Sequence, residues 1–307
     1  MTTQNTVLSP GQMAWKRFRN HTLAWYSLMF LLTLTLLVIA APFLLEALGY
    51  DHTAINLANR FSPSTLKHGF GTDELGRDVL LRILYGGRIS LFVAFVSAMF
   101  AFIIGTTIGA VAGYFGGIID SILMRFTDSV LTLPILPLMI LLAAIDLAKV
   151  LPSGLAFLAQ GNYASMIKLM LIVVFFGWMT VARLVRAEFL SLRERDFTQA
   201  ARALGVSHFK IIFRHILPNA VAPIIVSITL SIGSIILYEA ALSFLGLGIH
   251  PPLPSWGNML TNAQDYIRNA TMLSVYPGVF ILLTVVAINF IGDGLRDAFD
   301  PKFVHKK

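Results

Sequence analysis

No cysteine occurs in the 307 residues, which excludes a disulfide framework and any thiolate-held metal. Charge is also scarce: 13% of residues are Asp, Glu, Lys or Arg, against roughly 25% in an average soluble domain. The chain lacks a Gly-x-x-x-x-Gly-Lys-Ser/Thr loop, a His-Glu-x-x-His pair and a Gly-x-Ser-x-Gly elbow. It therefore offers no cradle for nucleotide phosphates, no hydrolytic zinc site and no activated serine. No catalytic residue, cofactor-binding residue or metal ligand is expected, and the chain is read as not being an enzyme. His52, His68, His208, His215, His250 and His305 show no ligand spacing. Solenoid-type repeats and low-complexity tracts are absent as well.

Hydrophobic residues make up 56% of the chain. They fall in unbroken runs of the roughly 20 residues that span a bilayer as a helix. Strands of a membrane barrel would instead alternate over about ten residues. The predicted fold class is an all-α integral membrane protein with six transmembrane helices. The spans are residues 22–45, 91–114, 129–148, 166–184, a fifth from Pro218 to about 248, and 272–291. The formal charge of +7 gathers at span ends, which fits the positive-inside rule and an anionic cytoplasmic leaflet better than a nucleic-acid patch. Lys16, Arg17 and Arg19 precede the first span, and seven basic residues lie between Arg183 and Arg214. Both termini are therefore predicted to be cytoplasmic. The first run exceeds the roughly 7–15 residues of a signal-peptide core, so a cleaved leader is not expected.

Gly105, Gly109 and Gly113 recur every four residues and stack on one face of the second span, where small side chains let a neighbouring helix approach. Pro134 and Pro137 stand in the first turns of the third span, as a helix start or as a kink lining a pathway. Glu239 and Ser243 lie in the outer part of the fifth span. An intramembrane acid is a functional candidate by default, as a pathway or outer-gate contact, or it is a structural partner of an arginine or of backbone donors. Trp256 is expected at the membrane interface. Asp73, Arg77 and Asp78 are expected either to contact an external protein or to cap a helix over residues 74–84.

The loop between spans four and five reads as two helices and a turn. Gly205 supplies a stop that tolerates positive φ, Ser207 can cap the next helix, and Pro218 precedes the span. Phe197, Ala200, Ala201 and Leu204 are spaced to share one apolar face. Arg193, Arg195 and Arg202 could pair with acidic residues of a partner. Taken alone, the loop is equally readable as an amphipathic helix on an anionic membrane surface.

The loop resembles that of the inner-membrane permeases of ATP-binding-cassette importers: Glu-Ala-Ala, three residues, Gly, nine residues, then Ile-x-Leu-Pro. Here the match is Gln199-Ala200-Ala201, Gly205 and Leu217-Pro218. Gln199 and His215 depart from it; the glutamine keeps hydrogen-bonding capacity without charge. The resemblance narrows to the C-type subunit of the dipeptide, oligopeptide and nickel branch. It rests on residues 68–79, 85–91, 182–188, 239–248, 254–257 and 292–297, Met124, Arg125, Asp128 and Pro134, and Asp300-Pro301.

The resemblance implies a type I importer permease fold in the bacterial inner membrane. Its implied partners are a homologous second permease, two ATPase subunits that bind ATP and Mg, and a periplasmic or lipid-tethered binding protein. Phe197, Gln199, Ala200, Ala201, Arg202, Leu204 and Gly205 would couple to the ATPases, and Asp73, Arg77 and Asp78 would meet the binding protein. The implied function is import of dipeptides or oligopeptides, or of a nickel chelate or another small solute by the same machinery. An ion-coupled secondary transporter is the competing class, but no intramembrane relay or repeat supports it. The implied organisation is a cytoplasmic N-terminus (1–21), a first helix with its external segment (22–90), a permease domain (91–297) containing the coupling loop (187–219), and a cytoplasmic tail (298–307).

Overall fold

The computed structural model describes residues 9–47, 49–65, 68–150, 152–261, 265, 267–268 and 270–299. Asp300-Pro301, His305 and nearly all of the expected tail lie outside the described residues. Within them the chain is helical, with only an isolated bridge between Thr72 and Asp78 in place of strands.

A short helix that hydropathy alone did not predict, α1 (Pro10–Asn20), precedes the first span. Ser9 and Gln12 form a reciprocal capping box at its start, which satisfies two orphan backbone donors. Ala14 and Phe18, one turn apart, bury against Ala24 and Ala298. This contact brings the start of the described chain to the same end of the molecule as the end of the last helix. The first span, α2 (Thr22–Ala47), follows.

The segment after α2 leads into α3 (Val79–Phe115), whose first turn is capped by Asp78. The helix expected over residues 74–84 is thus a turn around Asp73, and the long helix begins only at Val79. α3 packs along α6 (Ala164–Arg193). A Cβ on Gly105 would lie 2.5 Å from the Trp178 carbonyl oxygen, and one on Gly109 at 2.5 Å from that of Ala182. The three glycines are a close-packed seam, as their spacing suggested.

Between α3 and α6, the expected third span is broken, the kinked alternative of the two. α4 (Gly117–Leu131) and α5 (Ile135–Ala144) meet at 84°. Pro134 stands at the restart: it has no N–H to continue the helix and forces its predecessor out of the helical region.

α7 (Asp196–Ala203) and α8 (His208–Phe244) come next. The fifth span does not begin after Pro218 but runs through it. Residues 211–216 widen into a π-turn just before the proline, which relieves the clash a proline makes with the preceding turn. Ser207 occupies the cap position without a side-chain cap bond. α9 (Met272–Phe299) closes the bundle. Five helices are long and apolar enough to cross a membrane, and the bent α4–α5 pair would make a sixth.

Candidate coupling loop, outer seal and cavity

α7 has two unlike faces. Thr198 and Ala201 are buried, with Ala201 set against Ile211, Ile212 and Phe189. Phe197, Ala200 and Leu204 are exposed, Leu204 at 82%. The four apolar residues expected on one face are therefore divided, because Ala201 is needed to pack α7 onto the body.

Two of the arginines expected to meet a partner are also engaged by the chain's own groups, although Arg202 stays exposed. Arg193 donates to the Gly113 carbonyl at 3.3 Å and to Glu194 at 2.8 Å, and Arg202 lies over the Tyr114 ring at 5.1 Å. The Tyr114 hydroxyl meets His208 Nδ1 at 2.7 Å. Thr198 donates to Leu192 O and Gln199 to Glu194 O. Gly205 takes φ +74° with no atom near its missing Cβ, so the turn is set by backbone conformation alone.

At the opposite end Glu239 is fully buried. Its carboxylate accepts from Ser90 at 3.0 Å and from Ser243 at 2.9 Å. Those hydroxyls in turn accept from the backbone N–H groups of Trp256 and Ile249, each at 3.1 Å. One acid thus orients two serines, which hold the 249–257 loop against α3 and α8. The expected arginine partner is absent among the described residues; hydroxyl donors take its place. Trp256 is not at an interface: it is fully buried, with Nε1 donating to Ile83 O. Gly86 and Gly87 leave the room it needs, since a Cβ on Gly87 would lie 2.8 Å from its ring. In the sequence that Gly-Gly pair can mark a close approach, but not what makes it.

Asp73, Arg77 and Asp78 are bound up internally. Asp73 accepts from the amides of Leu75 and Arg77, pairs with Arg77 at 2.7 Å and lies 3.4 Å from Arg82. Asp78 caps α3 and meets His68 at 2.9 Å. Nearby, Asp51 is held below the usual carboxylate range by hydrogen bonds from Thr53.

A cavity of about 720 Å³ lies among α3, α5, α6, α8 and α9, within the roughly 300–1,000 Å³ of small-molecule sites. Its wall is largely apolar, with Thr180, Ser227, Ser231, Ser234, Tyr238 and Arg296 as its main polar side chains. The α5 side of the bend contributes Ile135 and Met139, so the proline break does line a cavity. Glu239 and Ser243 do not line it; they face the loop knot. Sequence reasoning passed over these residues, although the 4-3-4 spacing of Ser227, Ser231, Ser234 and Tyr238 marks one helical face.

Long apolar helices around a hydroxyl-lined cavity, joined to a tethered loop, make this a polytopic membrane transport subunit. Residues 105–305 match the model of the binding-protein-dependent transport system inner membrane components. Residues 9–63 match the N-terminal transmembrane domain of oligopeptide transport permease C. The chain belongs to this permease family and is a multi-pass protein of the bacterial inner membrane.

It is 43% identical to the dipeptide transport system permease protein DppC of Alkalihalophilus pseudofirmus, over 97% of this chain and 92% of that one. It is 36% identical to the oligopeptide transport system permease protein OppC of Bacillus subtilis, over 96% and 90%. A glutathione transport system permease protein of Pectobacterium atrosepticum is 38% identical, over 97% and 93%. Among solved structures, a chain of the MetNI methionine ABC transporter shares the fold with a TM-score of 0.55 and 21% identity, covering 71% of this chain and 97% of that chain.

Proposed function

We propose that this chain is one permease subunit of an ATP-driven importer that moves short peptides inward. It pairs with a homologous second permease, and a binding protein delivers cargo from outside. Two separate ATPase subunits bind and hydrolyse ATP below it. The bent α4–α5 pair counts as one of six spans, and both termini face the cytoplasm. Residues 1–21, 22–90, 91–297 and 298–307 form the N-terminal segment, first span with external segment, permease domain and tail. The peptide reading rests on the relatives named for dipeptide and oligopeptide transport.

The observation that carries the coupling reading is the outward display of Phe197, Ala200 and Leu204 on a short helix whose other face is bonded to the body. An exposed apolar helix face beside small residues suits a groove in a partner. Gln199 and Arg202 brace this helix, Ala201 packs it down, and Gly205 sets its exit angle. Asp73, Arg77 and Asp78 are assigned to shaping the external segment that the binding protein meets. Glu239 and Ser243 are assigned to closing the outer end through the 249–257 loop.

The test is Gly205→Val. Nothing crowds the position, so the substitution acts through φ alone, at about 1–2 kcal/mol for a left-handed L-residue and more for a β-branched one. Transport should fall while the assembled complex still forms. Unchanged transport and unchanged cargo-stimulated ATP hydrolysis would sink the coupling assignment.

A further inference from the structure

We infer that the cavity wall formed by Ser227, Ser231, Ser234 and Tyr238 is a hydroxyl ladder that reads the main chain of an extended peptide, with Arg296 as the seat for its terminal carboxylate. The inference rests on the peptide reading above and deepens it.

The four ladder residues share one face of α8 and all line the cavity. From Ser227 to Tyr238 they cover eleven helical steps, about 16 Å at roughly 1.5 Å per residue. An extended peptide advances about 3.3 Å per residue, so the ladder is as long as about five residues of cargo. Thr180 faces the same space from α6. A hydroxyl is both donor and acceptor and rotates to suit its partner. It can therefore serve the amide N–H or the carbonyl of any residue, whatever the side chain. The Ser231 hydroxyl already donates to Ser227 O at 2.8 Å, which leaves its oxygen free to accept a cargo N–H.

The charge pattern fits the same occupant. Among the described residues no acid lines the cavity, and Arg296 is the one charged residue that does. It lies in the last turn of α9, at the same end as Ala222 and Pro223 and away from Tyr238. A guanidinium there matches the planar, bidentate demand of a carboxylate. Apolar wall between the hydroxyls accommodates side chains without selecting among them. Glu239 follows Tyr238 in sequence but points into the sealed knot, so the ladder is not shared with the outer closure.

This chain has no cysteine, so each introduced thiol is the single one in it and its labelling is read on this chain after the subunits are separated. Ser231→Cys and Ser234→Cys are introduced singly into the transporter purified with its partner subunits in lipid nanodiscs. Each is reacted with a charged, water-soluble methanethiosulfonate. Ile225→Cys, exposed but on the far face of α8 and outside the cavity, is the control. The two cavity thiols should react well ahead of the control. Excess trialanine should slow them about fivefold, the effect of roughly four-fifths occupancy. The free acid should protect better than the amide, and Arg296→Gln should abolish that difference.

If the cavity thiols are as inert as the control, the ladder is refuted. If a nickel–histidine chelate protects and trialanine does not, the main-chain reading falls while the permease assignment stands. Cargo identity is scored independently, by whether peptide-loaded binding protein stimulates ATP hydrolysis.

Discussion

Replacing Gly109 by alanine should loosen the α3–α6 seam even though alanine is the better helix former. The added Cβ would sit 2.5 Å from the Ala182 carbonyl oxygen and 2.8 Å from Val185 Cβ. A comfortable carbon–oxygen approach is about 3.3 Å, so the helices must part by about 0.8 Å. A carbonyl in a helix cannot swing aside as a side chain would. Gaps of about 0.5–1 Å forfeit a quarter to a half of each dispersion contact, and such packing is what holds helices together in lipid. Overpacking of this kind costs about 1–3 kcal/mol, while glycine to alanine in a helix returns about 0.5–1 kcal/mol. The net is a loss of up to about 2 kcal/mol. Gly278 in α9, with nothing near its missing Cβ, supplies the internal control, where alanine should only stabilise. Detergent-solubilised protein is heated and the monodisperse fraction read by size exclusion. The expected order of midpoints is Gly278→Ala, wild type, Gly109→Ala, Gly109→Val. Gly109→Ala at or above wild type would refute the seam as a rigid contact.

Glu239→Leu orphans the hydroxyls of Ser90 and Ser243, at about 1–3 kcal/mol for each buried group. Chymotryptic cleavage at Trp256 should accelerate, and Glu239→Gln, which keeps one acceptor, should fall between. Asp73→Asn leaves Arg82 and Arg77 without their shared carboxylate; breaking such a buried pair costs about 3–5 kcal/mol, read as a lower thermal midpoint with external-segment nicking. His52 stacks on Tyr85 at 3.8 Å, and burial holds its imidazole below the usual range; Arg82 adds to this, and Asp51 and Glu46 oppose it. The unfolded chain therefore binds the extra proton first, so stability should be lost as pH falls below about 6.5. His52→Phe should remove that acid-side decline between pH 7.5 and pH 5, measured as the shift in thermal midpoint.

Hydropathy located every long helix because a bilayer demands runs that nothing else does. It could not locate ends or breaks. α3 starts twelve residues before the expected second span, since Asp78 caps it in a segment whose charges read as loop. α8 passes through Pro218 because a π-turn absorbs the clash, a device with no one-dimensional signature. The glycine seam was legible because backbone approach leaves only one residue type possible. The Trp256 knot was not, because Ser90, Glu239 and the 249–257 loop are brought together only by the packing of α3 on α8. α1 escaped notice because its buried face is two residues, Ala14 and Phe18, seated on a helix end almost 300 positions away.

The loop helix α7 is held at both of its exits. On the α6 side, Thr198 bonds Leu192, and Arg193 bonds Gly113 across to α3. Arg202 rests on Tyr114, also of α3. A load applied to the outer face of α7 is therefore received by α3 and α6 together, and their glycine seam makes them one body. On the α8 side the chain leaves through Gly205, whose missing Cβ faces open space; there Val206 N–H donates to Ala201 O, Ala201 shares a buried cluster with Ile211 and Ile212, and Tyr114 meets His208. Motion of α7 relative to α3 and α6, or relative to the start of α8, must therefore break several contacts at once. The geometry thus favours α7 moving together with α3, α6 and the start of α8, which share one buried cluster. A displacement of α7 would therefore reach the cavity through both α6 and α8, which supply its facing walls.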